Sequence, residues 1–263
     1  MREPVITLLT DFGTKDHYVA SMKGVILKIN PRCRLIDITH QVTPHDIQEG
    51  AFVLFNAYSY FPTGTIHLAV VDPGVGGLRK PVLLLTENYY FVGPDNGLFT
   101  MIAQKERVKQ IIVLDKQKYH LSEISATFHG RDVFAPVAAH LSSGIKPMAF
   151  GHKIDSLEGL GFERPVIKEG RLMGEILHVD TFGNLVSNID EGRLSQLIQG
   201  RSFVIRAGRK TIDSLKRGYW EGKKGELIAL FGSGGFLEIS VREGNAQRAL
   251  KAKRGDPIVI SAK

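Results

Sequence analysis

Val5-Ile6-Thr7-Leu8-Leu9-Thr10-Asp11-Phe12-Gly13 opens the chain with a short apolar run that ends in a polar turn. A strand buried within a sheet reads this way, as four to eight apolar residues bounded by turn chemistry. His17–Ile29 follows, with Val19, Met22, Val25, Ile26 and Ile29 at near-helical spacing and Asn30-Pro31 as a stop. Arg34–Ile38 reads as a second strand, and Ile47–Tyr60 as an amphipathic helix closed by Phe61-Pro62-Thr63-Gly64. Thr65–Val71 is a third strand, Val82–Thr86 and Tyr90–Val92 a hairpin, Ile111–Leu114 a further strand and Val133–Leu141 a helix. The recurring βα pattern predicts an α/β domain with a mainly parallel sheet and helices on both faces.

The pattern changes after about Gly151. Glu158–Lys168 is rich in glycine, proline and charge, as linkers are. Beyond it lie the short runs Leu172–Val179, Ser202–Ile205, Glu226–Phe231, Phe236–Val241 and Asp256–Ile260, separated by turn residues and without a long helical period. This predicts a small all-β barrel or sandwich. The expected organisation is an N-terminal α/β domain over residues 1–157 and a smaller C-terminal β-barrel over 169–263, with no internal repeat.

Composition removes several function classes. With 43% hydrophobic and 23% charged residues, the 263-residue chain can bury a sizeable core. Its one cysteine, Cys33, permits neither a disulfide framework nor a thiolate zinc site, which fits a reducing cytoplasm. No apolar run approaches the roughly 20 residues that cross a bilayer, and Met1-Arg2-Glu3-Pro4 lacks the apolar stretch of a signal peptide. A cytoplasmic location without membrane attachment is expected. The net charge of +7 is concentrated in the second part: residues 165–263 hold 17 basic and 11 acidic residues, the first 164 hold 17 and 16. The positive residues are dispersed and no nucleic-acid-binding motif accompanies them, so a solvated basic surface is expected and no nucleic-acid partner.

Five segments carry polar groups on turns. Thr10-Asp11-Phe12-Gly13-Thr14-Lys15-Asp16 follows the first strand, where ligands bind in open α/β sheets. Its two carboxylates suit a ribose diol, but an Asp there can equally cap the next helix. Val70-Val71-Asp72-Pro73-Gly74-Val75-Gly76-Gly77-Leu78-Arg79 delivers a carboxylate to a glycine-rich loop. It is neither a Rossmann fingerprint nor a P-loop. Arg79 can pair with Asp72, in a site or merely as a structural ion pair. Thr127-Phe128-His129-Gly130-Arg131-Asp132 puts a histidine just before a helix start, where the positive dipole end would lower its pKa. Asp132 could cap that helix and pair with Arg131. Asp180-Thr181-Phe182-Gly183-Asn184-Leu185-Val186-Ser187-Asn188 and Gly232-Ser233-Gly234-Gly235-Phe236-Leu237-Glu238, the latter followed by Gly244-Asn245-Ala246, present amides and hydroxyls that plain turns also present. No metal-ligand spacing and no G-x-S-x-G elbow occurs.

Taken in order, these segments resemble the family of S-adenosylmethionine hydrolases, also called hydroxide adenosyltransferases, with the fluorinase and chlorinase enzymes as more distant members. The likeness runs from Leu9-Thr10-Asp11-Phe12-Gly13 through Thr43-Pro44-His45-Asp46-Ile47, Gly93-Pro94-Asp95-Asn96-Gly97 and Phe128-His129-Gly130-Arg131-Asp132 to Glu243-Gly244-Asn245-Ala246. The resemblance implies an N-terminal α/β domain, a C-terminal β-barrel, and a homotrimer that binds substrate between the N-terminal domain of one subunit and the C-terminal domain of the next. It carries the hydrolases' Asp-Arg-His triad onto Asp72, Arg79 and His129. Halogenases have Tyr at the position of Asp72 and an extra loop just after this region. Here Arg79 runs directly into Lys80-Pro81-Val82-Leu83. It also implies that Asp11 accepts from the ribose diol, with Asp16 its neighbour on the methionine side and His45 lining the pocket near methionine. Tyr219 would stack on adenine, Asn184 hold its edges, and Asn245 and Ala246 meet it through backbone atoms. Asp180 would take the methionine amine, and Ser233 and Glu238 the amino-acid end.

The reaction so implied is hydrolysis of S-adenosyl-L-methionine to adenosine and L-methionine by activated water attacking C5′, with no metal or other cofactor. The alternatives are an adenosyl halide synthase and a non-catalytic sensor of adenosine or S-adenosylmethionine.

Overall fold

A computed structural model describes residues 3–161 and 163–263. Met1 and Arg2 of the N-terminal segment, and Phe162 of the expected linker, lie outside the described residues. The chain divides into two compact units, 1–160 and 161–263.

The first unit runs β1 (Val5–Thr10), α1 (Tyr18–Ile29), β2 (Arg34–Thr39), α2 (Ile47–Ala57), β3 (Ile66–Val70), β4 (Pro81–Thr86), β5 (Tyr90–Pro94), α3 (Thr100–Lys105), β6 (Val108–Leu114), α4 (Ala135–Ser142) and β7 (Gly151–Ile154). Among the described residues these strands form one seven-stranded sheet in the order β2-β1-β3-β5-β4-β6-β7. Alternate residues of β1 and β3 serve opposite faces. Ile6, Leu8, Ile66, Leu68 and Val70 pack into a core with Met22 and Ile26 of α1 and Val137, Ala138 and Leu141 of α4. Helices α2 and α3 pack together, and α2 also packs on β1.

The sheet is mixed rather than mainly parallel. Strands β1, β2, β3 and β5 pair in parallel, whereas β4 is antiparallel to both β5 and β6, and β6 to β7. Connection length accounts for the split. Parallel neighbours need a crossover of a dozen or more residues; α1 and α2 provide them for β1, β2 and β3, and residues 71–89, which include β4, provide the one between β3 and β5. Between β4 and β5 only Glu87-Asn88-Tyr89 intervenes, so the chain must fold back as the expected hairpin.

The second unit continues with β8 (Val166–Lys168), β9 (Arg171–Val179), β10 (Leu185–Asp190), α5 (Glu191–Ile198), β11 (Phe203–Ala207), β12 (Lys210–Ile212), β13 (Leu227–Phe231), β14 (Phe236–Val241), α6 (Ala246–Leu250) and β15 (Pro257–Ala262). Its strands pair antiparallel in the order β12-β11-β15-β9-β10-β14-β13, with β8 added on β9. A bridge from Leu215 to Ala229 brings the segment after β12 onto β13, so the sheet curls almost to a barrel. The unit is not purely β. Helix α5 starts where Asp190 accepts a hydrogen bond from the Arg193 N–H, and α6 where Asn245 accepts from Arg248. Both helices are short, eight and five residues, too short for a helical period to stand out between strands.

Candidate active site

Two carboxylates come together because β1 and β3 are parallel neighbours. Their register pairs Thr10 with Val70, so the chain leaves both strands on the same edge and presents Asp11 and Asp72 side by side. This is the carboxyl-end crevice where open α/β sheets bind ligands. Asp11, Phe12, Tyr18, Pro44, His45 and Asp72 line a cleft of about 250 Å³ there. Asp11 does not cap α1, which has no side-chain cap. Its Oδ2 instead accepts a 2.8 Å hydrogen bond from the backbone N–H of His45. His45 has φ 68°, a left-handed conformation that non-glycine residues adopt only when their surroundings impose it. Those surroundings are the start of α2: Asp46 caps it by accepting from Glu49 N–H, and Glu49 Oε2 reaches back to accept from Thr43 N–H.

Asp72 and Arg79 form a buried pair, with side chains 4% and 9% exposed. Arg79 donates from Nε to both Asp72 oxygens at 2.9 Å, and from Nη2 to Oδ2 at 2.5 Å. The same Nη2 lies 2.7 Å from His129 Nδ1. A guanidinium only donates, so Nδ1 accepts, and neutral His129 carries its proton on Nε2. Burial first, and the Arg79 charge second, push the His129 pKa down; the helix dipole anticipated from sequence is not the main cause. The Arg79 guanidinium lies over the Phe134 ring, 5.3 Å from its centroid, which fixes its plane. Gly76 explains how this loop reaches His129. It has φ 74°, and a Cβ there would collide with the Ala126 carbonyl, so the absence of a side chain seats the loop against the segment leading to His129. Asp132 pairs with Arg131 as anticipated, but it receives the Ser125 N–H rather than capping a helix.

The second unit holds another cleft, of about 640 Å³, lined by Asp180, Phe182, Asn184, Tyr219, Ser233, Glu238, Val241, Arg242, Glu243 and Gly244. Asp180 Oδ1 accepts from the Phe182 and Asn184 backbones, and its Oδ2 accepts from the Asn184 side-chain amide at 2.9 Å. Tyr219 donates its hydroxyl to Glu238 Oε1 at 2.6 Å, and Ser240 donates to the same oxygen. Burial and the Glu238 carboxylate raise the Tyr219 pKa, so the phenol stays a donor. Gly183, at φ 83°, leaves the space that the Asn245 side chain fills, which ties the start of α6 to this cleft.

Of the expected site residues, Asp11, His45 and Asp72 share the first cleft, with Arg79 and His129 hydrogen-bonded behind Asp72. Asp180, Asn184, Tyr219, Ser233 and Glu238 share the second. Asp16 is exposed and does not line the first cleft, and the side chain of Ala246 belongs to the core of the second unit, leaving only its backbone for a ligand. Sequence reading missed Phe12, Tyr18 and Pro44 in the first cleft, and Phe182, Val241, Arg242, Glu243 and Gly244 in the second. Phe182 was in principle visible as an aromatic in a turn segment, and the structure leaves it 75% exposed at the cleft. Among the described residues no cluster of three or more His, Cys, Asp or Glu is arranged to hold a metal ion, and no helix is long and apolar enough to cross a membrane.

Fold and site thus define an α/β protein with a second, nearly closed β unit and an Asp-Arg-His chain at the carboxyl-end edge of its first sheet. The model of the SAM hydroxide adenosyltransferase N-terminal domain matches residues 6–151, and that of the C-terminal domain residues 174–259. The chain belongs to this family. It is 38% identical to the (R)-S-adenosyl-L-methionine hydrolase of Methanocaldococcus jannaschii over 97% of this chain and 95% of that protein. The crystal structure of an uncharacterized conserved protein from Thermotoga maritima superposes with a TM-score of 0.91 at 40% identity, covering 97% and 99% of the two chains. A fluorinase from an Actinoplanes species is more distant, 28% identical over 77% of each chain.

Proposed function

We propose that the protein hydrolyses S-adenosyl-L-methionine to adenosine and L-methionine. The observation that carries this reading is the single cleft in which Asp11 and the Arg79-bound Asp72 stand together, one carboxylate for binding and one for chemistry. Asp11 takes the ribose hydroxyls, which places C5′ and its sulfonium toward Asp72. Water held at Asp72 attacks C5′. The C5′–S bond breaks with its electron pair on sulfur, so methionine leaves as a neutral thioether and needs no acid. As the C5′–O bond forms, the water gives one proton to Asp72, which passes it to solvent. Arg79 stabilises the developing hydroxide through preorganised charge, neutral His129 holds the guanidinium in plane, and the cleft supplies in-line positioning.

The second cleft supplies the remaining contacts: Asn184, Asn245 and the Ala246 backbone to adenine, Tyr219 against its ring, and Asp180, Ser233 and Glu238 to the amino acid. His45 lines the methionine side, where Asp16 is the neighbour of Asp11. In this reading the protein is a cytoplasmic homotrimer, each site assembled from the first unit of one subunit and the second unit of its neighbour. The 34–38% identity to hydrolases, against 28% to the Actinoplanes fluorinase, and Asp rather than Tyr at position 72 favour water over halide as the nucleophile.

Chromatography of products from purified protein and S-adenosylmethionine tests the function. Adenosine and methionine are expected in equal amounts without added metal, and still in chloride or fluoride buffer. 5′-Halo-adenosine as the main product, or tight binding without turnover, would replace this reading with halide transfer or ligand sensing.

Asp11→Ala is expected to act on binding. Losing the acceptor for the ribose diol should cost about 1.5–3 kcal/mol, roughly a 10- to 150-fold rise in KM, with kcat little changed. Collapsed kcat at an unchanged KM would move Asp11 into the chemical step.

A further inference from the structure

The turn that carries Asp11 is suspended from a second segment by a chain of hydrogen bonds that the reaction itself does not use. Strand β2 has a one-residue bulge at Ile38, where its register with β1 shifts between Leu8 and Leu9. Past the bulge, His40 turns inward to 4% exposure. Its carbonyl accepts the Gly13 N–H at 2.7 Å, which closes the far end of the Thr10–Gly13 turn. Its ring Nδ1 lies 2.8 Å from Thr10 Oγ1, at the near end. Ring Nε2 makes an oblique 3.1 Å contact with Asp37 Oδ1, and Lys23 donates to Asp37 Oδ2 at 2.6 Å.

With one proton on the ring, the carboxylate beside Nε2 sets the directions along this chain, although Nε2 makes no aligned hydrogen bond to it. Nε2 faces a carboxylate, so it bears the proton. Nδ1 therefore accepts from the Thr10 hydroxyl, whose oxygen in turn accepts the Phe12 N–H at 3.2 Å. Each group has one role, and the last donor is the backbone amide next to Asp11. An apolar residue would fill the same buried volume without desolvating an imidazole. What the ring adds is direction at the near end of the turn, through Thr10, while the backbone carbonyl of the same residue closes the far end.

We propose that His40, acting through Thr10, is the positioning residue that sets the orientation of the Asp11 carboxylate toward the ribose diol. This rests on the reading of Asp11 as the ribose contact. Asp11 is then held from two sides: the His45 N–H fixes its oxygen, and the His40–Thr10 bond fixes its backbone. His40 itself touches no substrate.

Steady-state hydrolysis of S-adenosylmethionine by Thr10→Val, His40→Phe and His40→Asn, each alone and combined with Asp11→Ala, tests this, with Tm measured on the same samples. Thr10→Val and His40→Phe are expected to raise KM about tenfold and leave kcat within about threefold. His40→Asn, whose side-chain oxygen can accept from Thr10 in place of Nδ1, should recover most of the affinity. On the Asp11→Ala background the same substitutions should change KM by less than about twofold, because the group they orient is gone. Thr10→Val conserves shape and keeps the test open if His40→Phe does not fold. A lowered Tm with wild-type KM overturns the proposal, as do KM increases that multiply unchanged onto Asp11→Ala. A wild-type KM for Asp11→Ala itself overturns the ribose role of Asp11, and the positioning role with it.

Discussion

Asp72→Asn should lower kcat by roughly 10²–10⁴-fold, the range lost when a positioned proton acceptor is removed. The substitution keeps the shape of the side chain and removes its charge. Substrate affinity should change little, because the ribose is held by Asp11 on the neighbouring strand end. A stability effect is also expected. The Asp72 side chain is 4% exposed and accepts three bonds from Arg79, and an amide nitrogen turned toward a guanidinium cannot accept. Leaving one such donor unsatisfied costs about 1–3 kcal/mol. The two effects are separated by measuring Tm and single-turnover rate on the same preparation. If the pair were only a structural clamp, activity per folded molecule would survive, and a folded, fully active Asp72→Asn would end the catalytic proposal for this residue.

Arg79→Met is expected to reduce kcat by about 10²–10³-fold, as loss of one preorganised charge donor does. Methionine keeps the apolar stem over Phe134, so packing is largely retained. The variant strands a buried carboxylate, for which about 3–5 kcal/mol of destabilisation is the usual consequence. It also has a pH signature. The Arg79 charge is one of the causes that hold the His129 pKa down, while Asp72 and Asp132 act in the opposite sense. Without the guanidinium, His129 takes up a proton at higher pH than before, which an NMR titration of its imidazole reads directly. The double variant Asp72→Asn/Arg79→Met should lose less activity than the product of the single losses, because both residues act on one water. Full multiplicativity would mean that the two side chains work independently.

The local elements were legible because their signals are local. The apolar run at Val5–Leu9, the helical spacing after His17 and the three-residue turn between Thr86 and Tyr90 each specify their own structure, and each was found where the pattern put it. The error about the sheet came from extending the βα rhythm of the first 70 residues to the whole unit. Whether a strand lies parallel or antiparallel depends on which neighbour it reaches, and the composition of a strand does not encode that. Short helices α5 and α6 escaped for a related reason: their starts are set by single capping side chains, Asp190 and Asn245, rather than by a repeating pattern.

The same division runs through the site. By itself the sequence determined the inventory: two strand-end carboxylates, an arginine seven residues beyond the second, a histidine before a helix, and the motif order that marks the family. It could also suggest that Arg79 pairs with Asp72, since seven residues of glycine-rich loop span that distance easily. Only the tertiary structure decided that Asp11 and Asp72 open into one cleft, because that follows from the parallel register of β1 against β3 across 60 residues of chain. It decided that His129 accepts from Arg79, since Gly76 lets the loop close on the Ala126 carbonyl. It also decided that His40 stands behind the Asp11 turn, because a bulge in β2 reverses which side the next residue faces. Residue identity fixes what a group can do, whereas pairing between distant strands fixes which groups meet, and no local pattern carries that second kind of information.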